Sequence, residues 1–191
     1  DPGTTIMGFG LIKVKDKKMS LILMNELNLT KYKDHYLKLK LIFERTISLI
    51  ESYNPDEIAI EAPFFGKNIQ SMLKLGRAQG VAMAAGLVRE IPIQEYSPKK
   101  IKMSITGNGN ASKEQVAKML QNLLKIEKLP KNLDSTDGLA AAVCHFYNSQ
   151  NSFGEKKYSG WTSFVKNNQK KIRESSQVFI FIFHFAIRLV I

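Results

Sequence analysis

Asp134 and Asp137 stand three residues apart at the head of an apolar run, Gly138-Leu139-Ala140-Ala141-Ala142-Val143-Cys144-His145. Residues at that spacing share one helix face, so both carboxylates point the same way, and the small residues behind them let the helix lie close against a sheet. Acids in a first helical turn also cap orphan N–H groups and favour the positive end of the helix dipole, and capping alone accounts for either one. Two further isolated acids alter the weighing: Asp1, in Asp1-Pro2-Gly3-Thr4-Thr5, and Glu61, closing Ile58-Ala59-Ile60-Glu61. Both fall where strands are expected to end, so four carboxylates could converge on one point. Gathered acids repel one another until protons or cations neutralise them. Hard oxygen ligands suit Mg²⁺ or Mn²⁺.

The elements that must position these acids follow from periodicity. Residues 6–14 and 19–29 read as two strands of a hairpin around a polar Lys13–Lys18 run. Residues 34–53 carry Leu37, Leu41, Ile42, Phe43, Ile47 and Ile50 at helical spacing, ending before Asn54-Pro55. A short apolar strand over 55–61 ends on Glu61, and in open α/β sheets sites lie beyond such strand ends. After the loop 62–68 the pattern predicts a helix over 69–88, in which Gly76, Gly80 and Gly86 argue against regularity but suit close packing. A strand over 91–96, a short helix from Ser97-Pro98 to about Ile105, and a helix from Ser112 to about Leu124 lead into the acid-bearing helix. This order predicts an α/β fold with a mixed sheet flanked by helices.

With 191 residues, the chain can bury one real core but not two large ones. The excess of 28 Lys+Arg over 17 Asp+Glu, a formal net charge of +11, favours a polyanionic partner, nucleic acid before a membrane surface; a merely basic soluble protein is the plain alternative. Cys144 is the single cysteine, which excludes an internal disulfide and a thiolate cluster and fits a reducing cytoplasm. No secretory signal is visible, and no membrane association is expected. The opening on Asp1 with no strand before it reads as a fragment. Domain organisation is read as one unit over 1–150, a basic flexible tail over 151–177, and an apolar tail over 178–191. The last is too short to span a bilayer and matches nothing upstream, leaving a translation or assembly artefact, an added strand, or an anchor.

Four stretches together carry a resemblance: Asp1-Pro2-Gly3; Ala59-Ile60-Glu61-Ala62-Pro63-Phe64 with Lys67-Asn68 and Leu73-Lys74-Leu75-Gly76-Arg77-Ala78-Gln79-Gly80; the Lys102 to Lys113 segment; and Asp134-Ser135-Thr136-Asp137-Gly138-Leu139-Ala140. Over roughly residues 1–150 the chain resembles RuvC-type Holliday junction resolvases. The resemblance implies a ribonuclease H-like fold, a homodimer, and divalent-metal cleavage of paired strands at a four-way DNA junction, in concert with a RuvA–RuvB branch-migration complex. It places Asp1, Glu61, Asp134 and Asp137 on the family's four catalytic, metal-holding acids, with two Mg²⁺ or Mn²⁺ ions per site. Two such ions about 3.5–4 Å apart can activate water and stabilise the leaving oxygen of an in-line displacement. It makes Phe64 a wedge that stacks on an unpaired base. Lys102 and Lys113 fall near the scissile strand, and Lys67, Lys74 and Arg77 are further DNA contacts; for each lysine a solvated role is the plain alternative.

The chain departs from that pattern where the strand before Asp1 should stand, so the fragment is expected to be at risk of poor folding and inactivity even if the full protein cleaves. Rival readings are a ribonuclease H-like nuclease acting on RNA or on another branched DNA, and a junction-binding module that does not cut. An actin-like ATPase, suggested by Asp1-Pro2-Gly3-Thr4-Thr5, would need a second phosphate loop that the length leaves no room for.

Overall fold

The computed structural model describes residues 5–63, 68–130, 132–151 and 178–186. Asp1, Phe64 and Lys67, the stretch 152–177 read as a basic tail, and residues 187–191 lie outside the described residues. Strands β1 (Ile6–Lys15) and β2 (Lys18–Asn28) form the expected antiparallel hairpin. Its two-residue turn, Asp16 and Lys17, has positive φ at both positions, the twist that joins antiparallel strands without splaying them.

Helix α1 (His35–Tyr53) starts where the Asp34 carboxylate accepts the Tyr36 N–H and stops at Asn54, in the left-handed region just before Pro55. Strand β3 (Glu57–Glu61) leads to helix α2 (Ile69–Val88), capped by Asn68. The glycines expected to loosen α2 leave it regular. At Gly86 a side chain would run into Ile58 of β3, whereas Gly76 and Gly80 face open space. Strand β4 (Ile93–Tyr96) passes into helix α3 (Pro98–Thr106), with Ser97 as cap. A reciprocal Ser112–Gln115 capping box starts helix α4 (Lys113–Leu124), and helix α5 (Asp134–Asn151) carries both aspartates in its first turn.

Strand β5 (Val178–Ala186) lies in the middle of the sheet, whose order is β2-β1-β5-β3-β4. It runs antiparallel to β1 and parallel to β3, and β3 runs parallel to β4. The expectation that residues 178–191 match nothing upstream is therefore corrected for 178–186, where the added strand is the alternative that holds. A near-continuous apolar run suits an interior strand covered on both faces, and a composition shift along the chain cannot reveal which strands it will separate.

Side chains alternate between two cores. Ile12, Ala59, Tyr96, Leu120, Leu139 and Val143 pack on the face covered by α3, α4 and α5. Met7, Phe9, Leu11, Ile58 and Ile60 pack on the opposite face with Ile42 of α1 and Leu75 and Ala78 of α2. Helices thus cover both faces of one mixed sheet.

Candidate active site

The register of the sheet brings the acids to one edge. Phe9 of β1 pairs with Phe183 of β5, and Phe183 pairs with Ile60 of β3. Glu61 is one step beyond Ile60 and so stands level with Gly8, one step before Phe9. Two strand spacings, about 10 Å, separate these backbones. Both residues belong to the α5 side of the sheet, since Ala59 and Ile12, two and four positions along, pack in the α5 core.

Above Gly8 lies the start of α5. A Cβ added to Gly8 would overlap the Asp134 carbonyl, and one on Gly138 would come within 2.9 Å of the Phe9 Cα. Only glycine lets strand and helix approach so closely, and this contact delivers Asp134 and Asp137 to the level of Glu61. The Glu61 backbone is fixed in turn, because the buried Gln79 of α2 donates from Nε2 to the Glu61 carbonyl at 2.8 Å.

Lys113, the first residue of α4, places its ammonium between the two aspartates, 3.3 Å from Asp134 Oδ1 and 2.6 Å from Asp137 Oδ2. The aspartate side chains are 15% and 13% exposed. Burial opposes the charge on Lys113, yet Asp137 and Asp134 outweigh it and hold the ammonium's pKa above its ordinary value. The pair is thus a place where a cation is already held, by oxygen donors of the type that take Mg²⁺ or Mn²⁺. Among the described residues no three His, Cys, Asp or Glu side chains form a group able to hold a metal ion. Asp1 is not among them.

Glu26 is an acid that sequence reasoning missed. It pairs with Gly8 across the hairpin and accepts a 2.8 Å hydrogen bond from Asn132, two residues before Asp134. Burial and the nearby Asp134 charge raise its pKa, while the Asn132 hydrogen bond works the other way. The row across the sheet is thus Glu26, Gly8, the β5 backbone, Glu61, with Asp134 over Gly8. Gln79 was noticed only as part of a motif. The hairpin alternation places Glu26 beside Gly8, and that was the available signal.

Of the remaining candidates, Lys74 lies in the second turn of α2, Arg77 in its third, and Lys102 is on α3. His145 is buried on α5, with Nδ1 2.7 Å from the Tyr96 hydroxyl and Nε2 2.8 Å from Glu57 Oε2. It belongs to the packing beneath the site.

A mixed sheet covered by helices, with carboxylates aligned at one edge, defines the ribonuclease H-like class of fold. The family model described as Crossover junction endodeoxyribonuclease RuvC matches residues 1–145. The Crossover junction endodeoxyribonuclease RuvC of Christiangramia forsetii is 80% identical over 173 residues, covering 91% of this chain and 90% of that relative. Its counterpart from Bacteroides fragilis is 60% identical over 175 residues, covering 91% and 93%. The solved structure of T. thermophilus RuvC in complex with Holliday junction substrate matches with a TM-score of 0.71 at 28% identity, covering 79% of this chain and 93% of that one. The chain belongs to the RuvC family of crossover junction endodeoxyribonucleases.

Proposed function

We propose that this chain cuts four-way DNA junctions by metal-dependent phosphodiester hydrolysis, with Asp1, Glu61, Asp134 and Asp137 as its catalytic acids. The observation that carries the reading is the alignment of Glu61 with Gly8 on the face against which Asp134 is pressed. Two Mg²⁺ or Mn²⁺ ions held by these acids would supply Lewis-acid activation of water and counter-charge for the leaving oxygen. The chain's own residues do the rest. Gln79 fixes the end of β3 and hence Glu61. Lys113 balances Asp134 and Asp137, and with a divalent cation held by those acids its ammonium would be available to a scissile phosphate.

Lys67, Lys74, Arg77 and Lys102 are proposed to neutralise backbone phosphates, and Phe64 to stack on an unpaired base. A homodimer would give the two opposed cuts that resolution requires. Supporting it is the outer face of α2, where Ile69 and Leu73 are 71% and 52% exposed and Gly76 and Gly80 face open space. A RuvA–RuvB complex is the proposed upstream partner. The cytoplasm is the proposed compartment: Cys144 is a free buried thiol, and among the described residues no helix is long and apolar enough to cross a membrane.

The test is cleavage of a synthetic four-way junction against an RNA/DNA hybrid and a simple fork, with Mg²⁺ or Mn²⁺, by the parent and by Asp134→Asn. The parent is expected to cut the junction selectively, and the variant to bind it while cutting at least about 100-fold more slowly. Cutting of the hybrid alone would replace the substrate, and junction binding without any cutting by the parent would leave a binding module.

A further inference from the structure

On the face of the sheet away from α5, the first turn of α1 and the second and third turns of α2 bring four basic groups together. His35 and Lys38 stand three apart on α1, and Lys74 and Arg77 three apart on α2, the helix packed beside it. Lys38 is only 1% exposed as a residue, although its ammonium is not among the atoms sealed from solvent without a partner. Both ring nitrogens of His35 are buried without a hydrogen-bond partner. Burial, then Lys74, Arg77 and Lys38, depress the His35 pKa; the one acid opposing them is Asp34, whose carboxylate is engaged in capping α1. Burial and Lys74 likewise depress the Lys38 pKa.

Ring nitrogens sealed from solvent with no partner, as in His35, are unfavourable, and so is crowding a nearly buried lysine against other cations. Apolar side chains of similar volume would pack this part of α1 without that cost, so the basic groups point to an anion that brings its own acceptors. The position favours a nucleic-acid strand. Leu29 N–H bonds to the Thr5 carbonyl at 2.7 Å, so the chain enters α1 from the edge of the sheet where β1 begins. Helix α2 begins at the same edge, a few residues after Glu61. The basic groups therefore lie at the carboxylate edge but across the sheet from α5, in a chain with a net charge of +11.

We propose that His35, Lys38, Lys74 and Arg77 form a phosphate pocket that grips one backbone phosphodiester of a DNA strand running past the carboxylate edge. This deepens the junction-cutting reading and rests on it. Lys38 is the floor of the pocket, Arg77 its exposed rim, and His35 a neutral donor from its ring N–H.

Lys38→Met keeps the bulk and removes the charge. Junction affinity is expected to fall about 3–10-fold, and the slope of log K against log salt to lose about 0.9, the value for one phosphate contact, with thermal stability kept or raised. Unchanged affinity and slope would overturn the pocket, as would a change in self-association with DNA binding untouched, which would assign Lys38 to a second copy. A titration of the full chain with a short single-stranded oligonucleotide, followed at the His35 ring resonances, is independent of junction selectivity. Those resonances should shift in the parent and stay fixed in Lys38→Met, and a parent that shows no shift refutes the pocket whether or not it cuts junctions. A parent that shows the shift but no junction preference refutes the junction reading alone.

Discussion

Lys113 closes on Asp137 at 2.6 Å, tying the first residue of α4 to the first turn of α5. The same ammonium reaches Asp134, so a single lysine offsets the repulsion of two carboxylates on one helix face. Lys113→Met removes that balance. In the presence of a chelator the variant is expected to melt about 2–4 °C below the parent, and Mn²⁺ should recover more stability in the variant than in the parent. Calorimetry with and without the ion checks this. Equal responses to Mn²⁺ would mean that the lysine and the divalent cation do not share a place.

Gly8→Ala tests how α5 is seated. The new Cβ would overlap the Asp134 carbonyl, and overpacking of this kind typically costs about 1–3 kcal/mol. Because the strain falls on the residue that carries the acid, cleavage should drop more than global stability accounts for. Denaturant melts and junction cleavage, measured on the same preparation, separate the two effects.

Tyr96 gives a pH signature separate from the candidate catalytic acids. Burial, with Cys144 and Glu57 adding to it, pushes its phenol up to about 12 from an ordinary value of 10.0. The folded chain holds this proton more tightly than the unfolded chain does, so the contribution is complete below pH 10 and is lost as pH rises through about 12. Tyr96→Phe should flatten that part of the stability profile. It should also cost about 1 kcal/mol at neutral pH, since His145 Nδ1 loses its partner. Chemical denaturation between pH 8 and pH 11.5 reads both.

Ending the chain at residue 177 removes β5 and leaves β1 and β3 with no strand between them. Two paired strands on either side are marginal on their own. The truncated chain is expected to lose its cooperative thermal transition. Ile180→Asp, a charge at a side chain 1% exposed, should act in the same direction by several kcal/mol. A sharp, unshifted melt of either variant would show that β5 does not hold the halves together.

Helix and strand positions were legible because they are local. Asp34, Ser97 and Ser112 announce their helices as caps, and Asn54-Pro55 marks where α1 stops. The pairing of Asp134 with Asp137 was legible for the same reason. The place of β5 was not, because strand order is set by contacts between distant segments, and an apolar run has the same appearance in an anchor and in a central strand. Glu26 escaped notice because its importance comes from standing beside Gly8 and beneath Asn132, a matter of register. Lys113 was found through a family resemblance, but its seat between two carboxylates depends on how α4 meets α5. Lys38 lay unremarked on a helix face that periodicity marks only as amphipathic.

The strand that joins β1 to β3 is the last of the described elements to be made. Of the described strands, the hairpin and the β3–β4 pair form two halves, each with an edge that only β5 covers. Among the described elements, it is this late, greasy segment that draws the two halves, and with them the acids, into line. With β5 unseated, those edges are open to strand exchange with neighbouring molecules.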